Sequence, residues 1–508
     1  MSDWMSGPIL TLYYLVLGIL ALYGLHRGAL LWVFRRTRNQ SVPEPAEPGE
    51  WPVVTVQLPI FNERYVAERL VEAVCRMDYP RDRLEIQVLD DSTDETREIL
   101  ERKAEALSAE GIDVRYLHRT DRRGFKAGAL AAGLEVARGD LVAVFDADFV
   151  PTADFLKRTV PHFADPRIGM VQARWGHLNR DYSLLTRIQA IFLDGHFVVE
   201  HTARQRGGCF FNFNGTAGIW RRRAIEDAGG WTHDTLTEDL DLSYRAQLVG
   251  WRFLYLPDLV VPAELPAEIN AYKSQQNRWA RGSIQTCRKL LATVLRSGVP
   301  RRAKLEAFIH LTNNSAYPLM LLLSLLIFPA MALRQDEARW MLWAFDLPVF
   351  LLATVSVIVF YLASQRVTGR PWKSAVLHVP ALMGLGIGLA VNNSRAVLMG
   401  LRREAGVFHR TPKYSLEGTD GGWKGKSYLL AKDLSFYAEV FLALYLVGCF
   451  AWAIRLEMWY SLPFLYLFLH GYLYMVVLGL VPWLGRGRTK RVAPPKPVCT
   501  GQPAASGP

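Results

Sequence analysis

The sequence is poor in cysteine and lacks the patterns that cysteine forms in stapled or metal-bound domains. Its 508 residues include five cysteines, and no two of them form a C-x-x-C pair. This argues against a disulfide framework and a zinc site, and it favours a reducing compartment for the polar part of the chain. No helix-turn-helix, zinc-finger or aromatic-basic RNA signature is present, so nucleic acid is not an expected partner.

Positive charge is also missing where a secretory signal would carry it. Residues 1–7 contain no lysine or arginine, and no small-residue cleavage site follows the next apolar run. We therefore expect residues 1–38 to form a retained transmembrane helix. The chain as a whole has a net charge of +11. Its basic residues flank apolar runs, as at Arg35, Arg36 and Arg486, which favours contact with a membrane surface over other anionic partners.

Two kinds of sequence pattern divide the chain. Before about residue 265, short apolar runs such as VVTVQL, EIQVL and LVAVF alternate with helix-like stretches, which predicts an α/β sheet. Beyond residue 306, nearly uncharged stretches approach the ~20 residues that cross a bilayer. We therefore predict an N-terminal transmembrane helix, a Pro/Glu-rich linker, an α/β domain, interfacial helices, a transmembrane channel region and a basic, disordered tail, at residues 1–38, 39–52, 53–265, 266–305, 306–485 and 486–508.

One apolar stretch, residues 374–394, has basic residues on both flanks, among them Arg370 and Arg402. Because basic flanks stay on the cytoplasmic side, we expect this stretch to be re-entrant or interfacial, with a full span as the alternative. The remaining stretches then place the α/β domain on the cytoplasmic side of a multi-pass protein in the plasma or inner membrane.

Carboxylates follow the ends of three predicted strands. Asp146 and Asp148 follow LVAVF, Asp90 and Asp91 follow EIQVL, and Glu63 comes soon after the first strand. Ligands of α/β folds bind at the carboxyl ends of strands. The Asp-Ala-Asp pair suits a hard divalent cation whose shell is completed by diphosphate oxygens, the alternative being an acidic turn. The Asp-Asp pair suits a nucleobase or ribose, although it is equally typical of a helix N-cap.

Three further clusters carry chemistry. Lys126 lies at a glycine-flanked helix start, which suits a phosphate, and an exposed turn lysine is equally compatible. Glu238 and Asp239 open a helix, where a carboxylate either deprotonates an acceptor hydroxyl or caps the helix. Arg278 can neutralise a diphosphate and Trp279 can stack on a sugar ring. The alternative is that both anchor an interfacial helix at lipid headgroups.

The motifs PIFNE, DDST, GFKAG, DAD, FNGT, TED and QNRW follow one another in this order and precede the apolar stretches. The series resembles the inverting family 2 glycosyltransferases, and within them the cellulose-synthase superfamily, especially its mannan and glucomannan synthases. The resemblance is strong over about residues 50–290 and looser beyond. It implies an α/β GT-A domain, which is a Rossmann-like nucleotide-sugar transferase, on the cytosolic side of an α-helical transmembrane domain.

The resemblance also implies roles for the matching residues. Asp239 is the expected catalytic base, and Asp148 and Asp146 are the expected ligands of Mg²⁺ or Mn²⁺, with Asp146 also on the donor diphosphate. The other expected substrate-binding residues are Asp90 and Asp91 at the nucleoside, Glu63, Lys126 and Glu238, the acceptor-pocket residues Asn214, Gly215 and Thr216, the QxxRW residues Gln275, Arg278 and Trp279, and the gating-loop residues Phe408, Thr411 and Lys413. That loop, near 401–430, has Arg410 where the family pattern has valine.

The function that follows is processive synthesis of a β-linked glycan from UDP-glucose or GDP-mannose, with export through the membrane region and with the help of export partners. One alternative is a membrane glycosyltransferase that adds a single sugar to a lipid acceptor, which product length would distinguish. The other is an export channel with a relic transferase domain. The intact acids Asp146, Asp148 and Asp239 argue against a relic.

Overall fold

The computed structural model describes residues 3–40, 42, 45–333, 346–402, 406, 410–422, 426 and 435–484. Seven strands form one sheet in this part of the chain, and all of them lie within residues 53–265. In chain order they are β1 Val54–Ile60, β2 Leu84–Asp90, β3 Val114–His118, β4 Leu141–Val144, β5 Ile168–His177, β6 Gly218–Arg221 and β7 Arg252–Ala263.

Helices precede, cover and follow this sheet. They are α1 Asp3–Thr37, α2 Ala67–Cys75, α3 Thr96–Ala109, α4 Phe125–Val136, α5 Phe155–Thr159, α6 Leu184–Asp194, α7 Thr202–Arg206, α8 Arg222–Asp227, α9 Glu238–Leu248, α10 Ile269–Arg296, α11 Arg301–Thr312, α12 Ala316–Ala332, α13 Leu347–Val367, α14 Trp372–Val376, α15 Val379–Gly388, α16 Ala390–Gly400, α17 Ser435–Arg455 and α18 Leu462–Leu484. A π-helical turn, Gly195–His201, joins α6 to α7.

The strand order is β3-β2-β1-β4-β6-β5-β7, and the first four of these strands are mutually parallel. The chain builds β2 and β3 on one side of β1 and then returns to place β4 on the other side. In open α/β sheets a crevice forms at the carboxyl ends of the strands where the order reverses, here at β1 and β4. The predicted α/β sheet is confirmed, and its topology fixes where a ligand would bind.

The two faces of the sheet pack against separate hydrophobic layers. Alternate residues of a strand face opposite sides. Accordingly Val56 and Leu58 of β1 pack in the layer that contains α2 and α3. Val142 and Val144 of β4 belong to the layer that contains α4, α8 and α9. Because helices cover both faces, the central strands β1, β2 and β4 are buried almost throughout.

Strands β6 and β7 are not among the strand runs expected from the sequence. Strand β6 has four residues and runs antiparallel to both β4 and β5. Strand β7 pairs in parallel with β5 at the edge of the sheet and contains Pro257. Proline cannot donate to a strand ladder, so it is confined to edges and bulges. The pairing register shifts at this point, between Ala173 and Arg174 of β5, and this irregularity breaks the alternation that marks a strand.

Within the described residues, six helical segments are long and apolar enough to cross a membrane. They are Gly7–Thr37, Arg301–Ala332, Leu347–Val367, Val379–Gly400, Ser435–Arg455 and Leu462–Leu480. They fit an integral membrane protein. Helix α1 packs against α12 and α13, and α18 packs against α15 and α17.

The segment Val379–Gly400 differs from the other five because 67% of its apolar window is buried inside the protein, against 17% to 39% for the others. It comprises α15 and α16, and α16 packs on α10. Its length allows a span and its burial suits a segment surrounded by protein, so the re-entrant or interfacial placement of 374–394 stays a prediction. The predicted tail, 486–508, lies outside the described residues.

Candidate active site

A cleft with about 1250 Å³ of empty space opens at the carboxyl ends of β1, β2 and β4. Because β5 and β7 run parallel to β4, their carboxyl ends and the amino end of β6 reach the same edge. The site residues predicted from the sequence that line this cleft are Glu63, Asp91, Lys126, Asp146, Asp148, Asn214, Gly215, Glu238, Asp239, Gln275, Arg278, Trp279, Thr411 and Lys413.

Three predicted residues are not among those lining the cleft. Asp90 is fully buried, and its carboxylate accepts hydrogen bonds from the Tyr116 hydroxyl at 2.7 Å and the Ser92 amide at 3.0 Å. Successive residues of a strand face opposite sides, which accounts for Asp91 reaching the cleft while Asp90 does not. The Thr216 side chain is fully buried and does not line the cleft. Phe408 lies outside the described residues.

Asp146 is held by groups on both sides. Lys126 at the start of α4 donates a hydrogen bond from Nζ to Asp146 Oδ1 at 2.5 Å and to the Gly215 carbonyl at 2.8 Å. The Asp146 amide donates to Thr216 Oγ1 at 2.9 Å. Burial lowers the pKa of Lys126, but Asp146 and Glu238 outweigh this and leave its pKa raised. Lys126 is therefore a fixed positive charge in the cleft.

Asp148 faces a second lysine. Lys413 donates from Nζ to Asp148 Oδ2 at 2.6 Å and to the Glu264 carbonyl at 2.6 Å. The two carboxylates thus present oxygen atoms that attract cations, which is the chemistry that Mg²⁺ and Mn²⁺ require. No group of three or more His, Cys, Asp or Glu within the described ranges could hold a metal ion. That donor set fits a cation whose shell is completed by substrate oxygens rather than by protein alone.

The 410–416 segment is tied to the cleft by two acids. Arg410 pairs with Glu63, with 2.8 Å between Nη1 and Oε2. The Glu264 carboxylate accepts the amides of Tyr414 at 2.8 Å and Leu416 at 3.2 Å. Burial raises the pKa of Glu63 to about 7, and Arg410 opposes that rise. Arg410 departs from the family pattern, yet in this chain it has an acidic partner of its own.

Glu264 is a residue that the sequence analysis does not identify. It directly follows β7, so the available signal was a further strand ending in an acid at the same edge. Pro257 interrupts the apolar run of β7, so the sequence pattern does not reveal this strand or the acid that follows it.

Asp239 lies in the first turn of α9, and its Oδ1 accepts the amide of Leu240 at 2.8 Å. Burial, followed by the neighbouring Glu238 carboxylate, raises the pKa of Asp239 to about 7, while Lys126 and Arg278 act in the opposite direction. A carboxylate with a pKa close to neutral suits a general base, because it accepts a proton readily and is still ionised at working pH.

Gln275, Arg278 and Trp279 lie on α10 and line the cleft. Residues three and four positions apart share one face of a helix, so the three side chains form one side of the cavity. Burial lowers the pKa of Arg278, while the carboxylates of Glu238 and Asp146 oppose that shift. Arg278 is thus a buried positive charge that faces several of the acids of the cleft.

The turn that carries Asn214 to Ala217 closes the cleft beside Asp239. Gly215 has φ +80°, and a Cβ atom there would lie 3.0 Å from Asp239 Oδ2 and 3.3 Å from Lys126 Nζ. The left-handed backbone therefore favours glycine at this position, and a larger residue would have to displace the two charged groups.

Arg122 is a second cleft residue that the sequence analysis does not assign. Its guanidinium lies 3.3 Å from the centre of the Phe61 ring, next to Asp91. Asp91 itself accepts two hydrogen bonds from Arg119, at 2.8 and 2.6 Å. The basic run HRTDRR directly after β3 was the available signal.

Residues 52–282 match the family model described as glycosyltransferase like family 2. The matched segment, a little under half of the chain, is similar to the family 2 glycosyltransferases. It contains the whole seven-stranded sheet and α10 as far as Gly282, so it includes every predicted site residue except those of the gating loop. The sheet and its strand-end cleft confirm the predicted GT-A fold of the glycosyltransferase domain.

Curated relatives match about half of the chain. Glucomannan 4-beta-mannosyltransferase 2 from Arabidopsis thaliana is 46% identical over 270 residues, which are 52% of this chain and 51% of the relative. Glucomannan 4-beta-mannosyltransferase 1 from Oryza sativa subsp. japonica is 43% identical over 290 residues, or 55% of each chain. This chain therefore spans about half the length of the curated relatives it matches.

Among solved structures, the mannosyltransferase PcManGT from Pyrobaculum calidifontis, in complex with GDP-Man and Mn²⁺, has a TM-score of 0.48 and 24% identity. The match covers 75% of this chain and 100% of that chain.

Proposed function

We propose that this chain is a processive, inverting β-glycosyltransferase that elongates a polysaccharide and passes it into the membrane region. The observation that carries the proposal is one cleft that holds a near-neutral acid, Asp239, the paired acids Asp146 and Asp148, and Trp279 on the helix leading to the membrane helices. The relatives' names support mannose as the transferred sugar and a 4-beta linkage. GDP-mannose is therefore the proposed donor, with UDP-glucose as the second candidate.

In the proposed reaction, Asp239 takes the proton from an acceptor hydroxyl as that oxygen bonds to the anomeric carbon of the donor. The bond from this carbon to the diphosphate breaks on the opposite face, so an α-linked donor gives a β-linked product. Lys126 and Arg278 hold the departing negative charge, and such preorganised charges are commonly the largest contribution to a rate enhancement. Trp279 offers a flat surface to the terminal sugar of the acceptor.

Asp146 and Asp148 are the residues proposed to hold Mg²⁺ or Mn²⁺. A divalent cation there would neutralise the diphosphate oxygens as the nucleotide leaves. Asp91 and Glu63 would contact the nucleoside end of the donor, and the segment with Thr411 and Lys413 would close over it. We place the glycosyltransferase domain on the cytoplasmic side, because the basic flanks of the apolar segments favour that side.

The proposal is tested with purified protein in lipid, offered radiolabelled GDP-mannose and UDP-glucose in separate reactions. The expected product is a labelled polymer that an endo-acting β-1,4-mannanase shortens. A product of one sugar per lipid would replace the synthase with a lipid glycosyltransferase. If neither GDP-mannose nor UDP-glucose supports sugar transfer, the proposal is overturned.

The rate of transfer is expected to fall as the pH drops through about 7, because protonated Asp239 cannot accept a proton. Its pKa is set by burial and by Glu238, Lys126 and Arg278, which face it from α9, α4 and α10. Below that pKa, kcat should lose about tenfold for each unit of pH, and above it kcat should be flat. Measuring kcat with saturating donor and acceptor checks this, and an acid limb far below neutral would contradict it.

Trp279→Ala is expected to lower polymer elongation by about tenfold while donor hydrolysis changes little, because water needs no stacking surface. The measurement compares labelled polymer with free sugar released in the same reaction. Trp372→Ala, at an exposed position on α14, is the matched control and should leave both rates as they are. Equal losses of elongation and hydrolysis in Trp279→Ala would remove the acceptor role.

A further inference from the structure

A buried group of histidines lies behind the cleft, and the proposed reaction does not use it. His196 and His201 come from the π-helical turn Gly195–His201, and their ring centres are 4.3 Å apart. In an α-helix, residues five apart lie about 1.4 turns from each other and do not share a face. Hydrogen bonds in a π-helix link residues five apart. The π-helical turn therefore brings these two rings together.

Both rings bind the side chain of Asn214, one at each end of its amide. His201 Nε2 donates to Asn214 Oδ1 at 2.5 Å, and Asn214 Nδ2 donates to His196 Nε2 at 3.0 Å. His196 Nδ1 in turn donates to Glu200 Oε2 at 3.0 Å. These roles require His196 to carry its proton on Nδ1 and His201 on Nε2, so the network is consistent with two neutral imidazoles.

The surroundings keep both histidines neutral. Burial lowers the pKa of His201 to about 3, although its hydrogen bond with Asn214 acts in the opposite direction. Burial lowers the pKa of His196 well below its usual value, and the neighbouring His201 and Arg204 add to this. Neither ring therefore changes its hydrogen-bonding roles over the pH range in which the enzyme would work.

The negative end of the network is fixed from outside the sheet. Glu200, which accepts the hydrogen bond from His196 Nδ1, forms ion pairs with Arg27 of α1 and Arg204 of α7. Arg204 also pairs with Glu306 of α11 at 2.8 Å, and Glu306 pairs with His26 of α1. Charged side chains on three helices, one of which is the first candidate membrane helix, thus hold Glu200 and through it His196.

Asn214 begins the turn that contacts three residues of the proposed reaction centre, Lys126, Asp146 and Asp239. The Gly215 carbonyl accepts from Lys126, the Thr216 hydroxyl accepts from the Asp146 amide, and Gly215 lies against Asp239. The turn contains two residues in the left-handed region, Gly215 at φ +80° and Ala217 at φ +52°. An L-residue such as alanine persists there only when its surroundings hold it.

We propose that His196 and His201 are positioning residues that hold the Asn214 amide from both sides and so fix this turn against Lys126, Asp146 and Asp239. The inference rests on the proposed transfer reaction, since it concerns how the acceptor hydroxyl is aligned with Asp239. Neither histidine touches substrate. In this proposal the turn aligns the acceptor sugar hydroxyl with Asp239 for transfer. Donor hydrolysis by a water molecule does not need that alignment.

The test uses full-length protein and compares His201→Leu with His201→Gln. Glutamine can place an amide N–H near the position of the imidazole Nε2–H, and leucine cannot. The ratio of sugar transfer to donor hydrolysis is expected to fall by about tenfold in His201→Leu and to stay within about threefold of the original enzyme in His201→Gln. Each rate is taken per folded protein, measured from the monodisperse peak on size exclusion.

Two further variants keep the test decisive. His196→Leu removes the acceptor on the other side of Asn214 and should lower the same ratio even if His201→Leu does not fold. His310→Leu is the control, because His310 shares a hydrogen bond with the Tyr244 hydroxyl in the same buried region and makes no hydrogen bond to Asn214 among those described. It should leave the ratio unchanged.

Equal effects of leucine and glutamine at position 201, or an unchanged ratio in the variant with leucine at 196, would overturn the positioning role. Transfer by the unaltered enzyme, with no dependence on these histidines, would leave the proposed function standing without this inference. No transfer by the unaltered enzyme would remove both.

Discussion

Replacing Asp239 with asparagine is expected to lower sugar transfer by roughly 10²- to 10⁴-fold while donor binding is unchanged or tighter. Asparagine has nearly the same shape but cannot accept the hydroxyl proton, and general-base catalysis contributes roughly 10²- to 10⁴-fold. The substitution also removes a buried negative charge beside Lys126 and Arg278, which leaves more positive charge for the diphosphate. The expected result is therefore a large fall in kcat with donor KM equal to or below that of the unaltered enzyme. Steady-state kinetics measure kcat and the donor KM, and calorimetry measures nucleotide binding.

Asp258→Asn is the matched control, because Asp258 is an exposed residue of β7 and does not line the cleft. Glu238→Gln separates the two neighbouring acids of α9. If Glu238→Gln loses activity and Asp239→Asn keeps it, the base is Glu238. If both single variants turn over normally, neither acid is the base and the proposed mechanism is wrong.

Removing divalent cations with excess EDTA is expected to lower transfer by at least about 10²-fold, and adding Mn²⁺ or Mg²⁺ should restore it. The reason lies in the charges of the cleft. Asp146 and Asp148 each bind a lysine in the structure, so the donor diphosphate would meet a balanced set of charges unless a cation is added. Full activity in EDTA would contradict the metal-holding role.

Asp148→Asn tests the same role at one residue. Its half-saturating concentration of Mn²⁺ should rise by about tenfold or more, because one of two anionic ligands is lost. Asp154→Asn, an exposed position shortly after the pair, should not change that concentration. Binding of Mn²⁺ in the presence of the nucleotide diphosphate, followed by electron paramagnetic resonance, gives a readout that does not depend on turnover.

Some of the residues that line the cleft could be brought together from the sequence, because they follow neighbouring parallel strands of the sheet. Asp91, Asp146 and Asp148 can be brought together from the sequence because β1, β2 and β4 have clean apolar runs and parallel strands end at one edge. It is harder to predict which of two neighbouring residues at a strand end points its side chain into the cleft. The expected position of Asp90 is at the nucleoside, but its side chain is buried and accepts a hydrogen bond from Tyr116. Its neighbour Asp91 faces the cleft.

The parts that the sequence did not reveal share a physical cause, which is that their local pattern is ambiguous. Strand β7 is interrupted by Pro257, so the acid at its end, Glu264, was not considered. The π-helical turn packs against α1 and α13. No residue type marks a π-helical turn in a sequence, so its position could not be predicted. The partner of Arg410 is Glu63, about 350 residues away in the chain, and a single sequence contains no sign of that contact.

Helix α10 is one unbroken helix of 28 residues, about 42 Å long at 1.5 Å per residue. Near its beginning, the buried Lys273 pairs with Glu439 of α17 at 2.7 Å, and its next turns carry Arg278 and Trp279 into the cleft. A soluble fragment excised at the end of β7 would therefore retain the carboxylates of the reaction centre and lose the side of the cavity that meets the growing chain. One helix thus supplies both a wall of the proposed reaction centre and a buried ion pair with a candidate membrane helix.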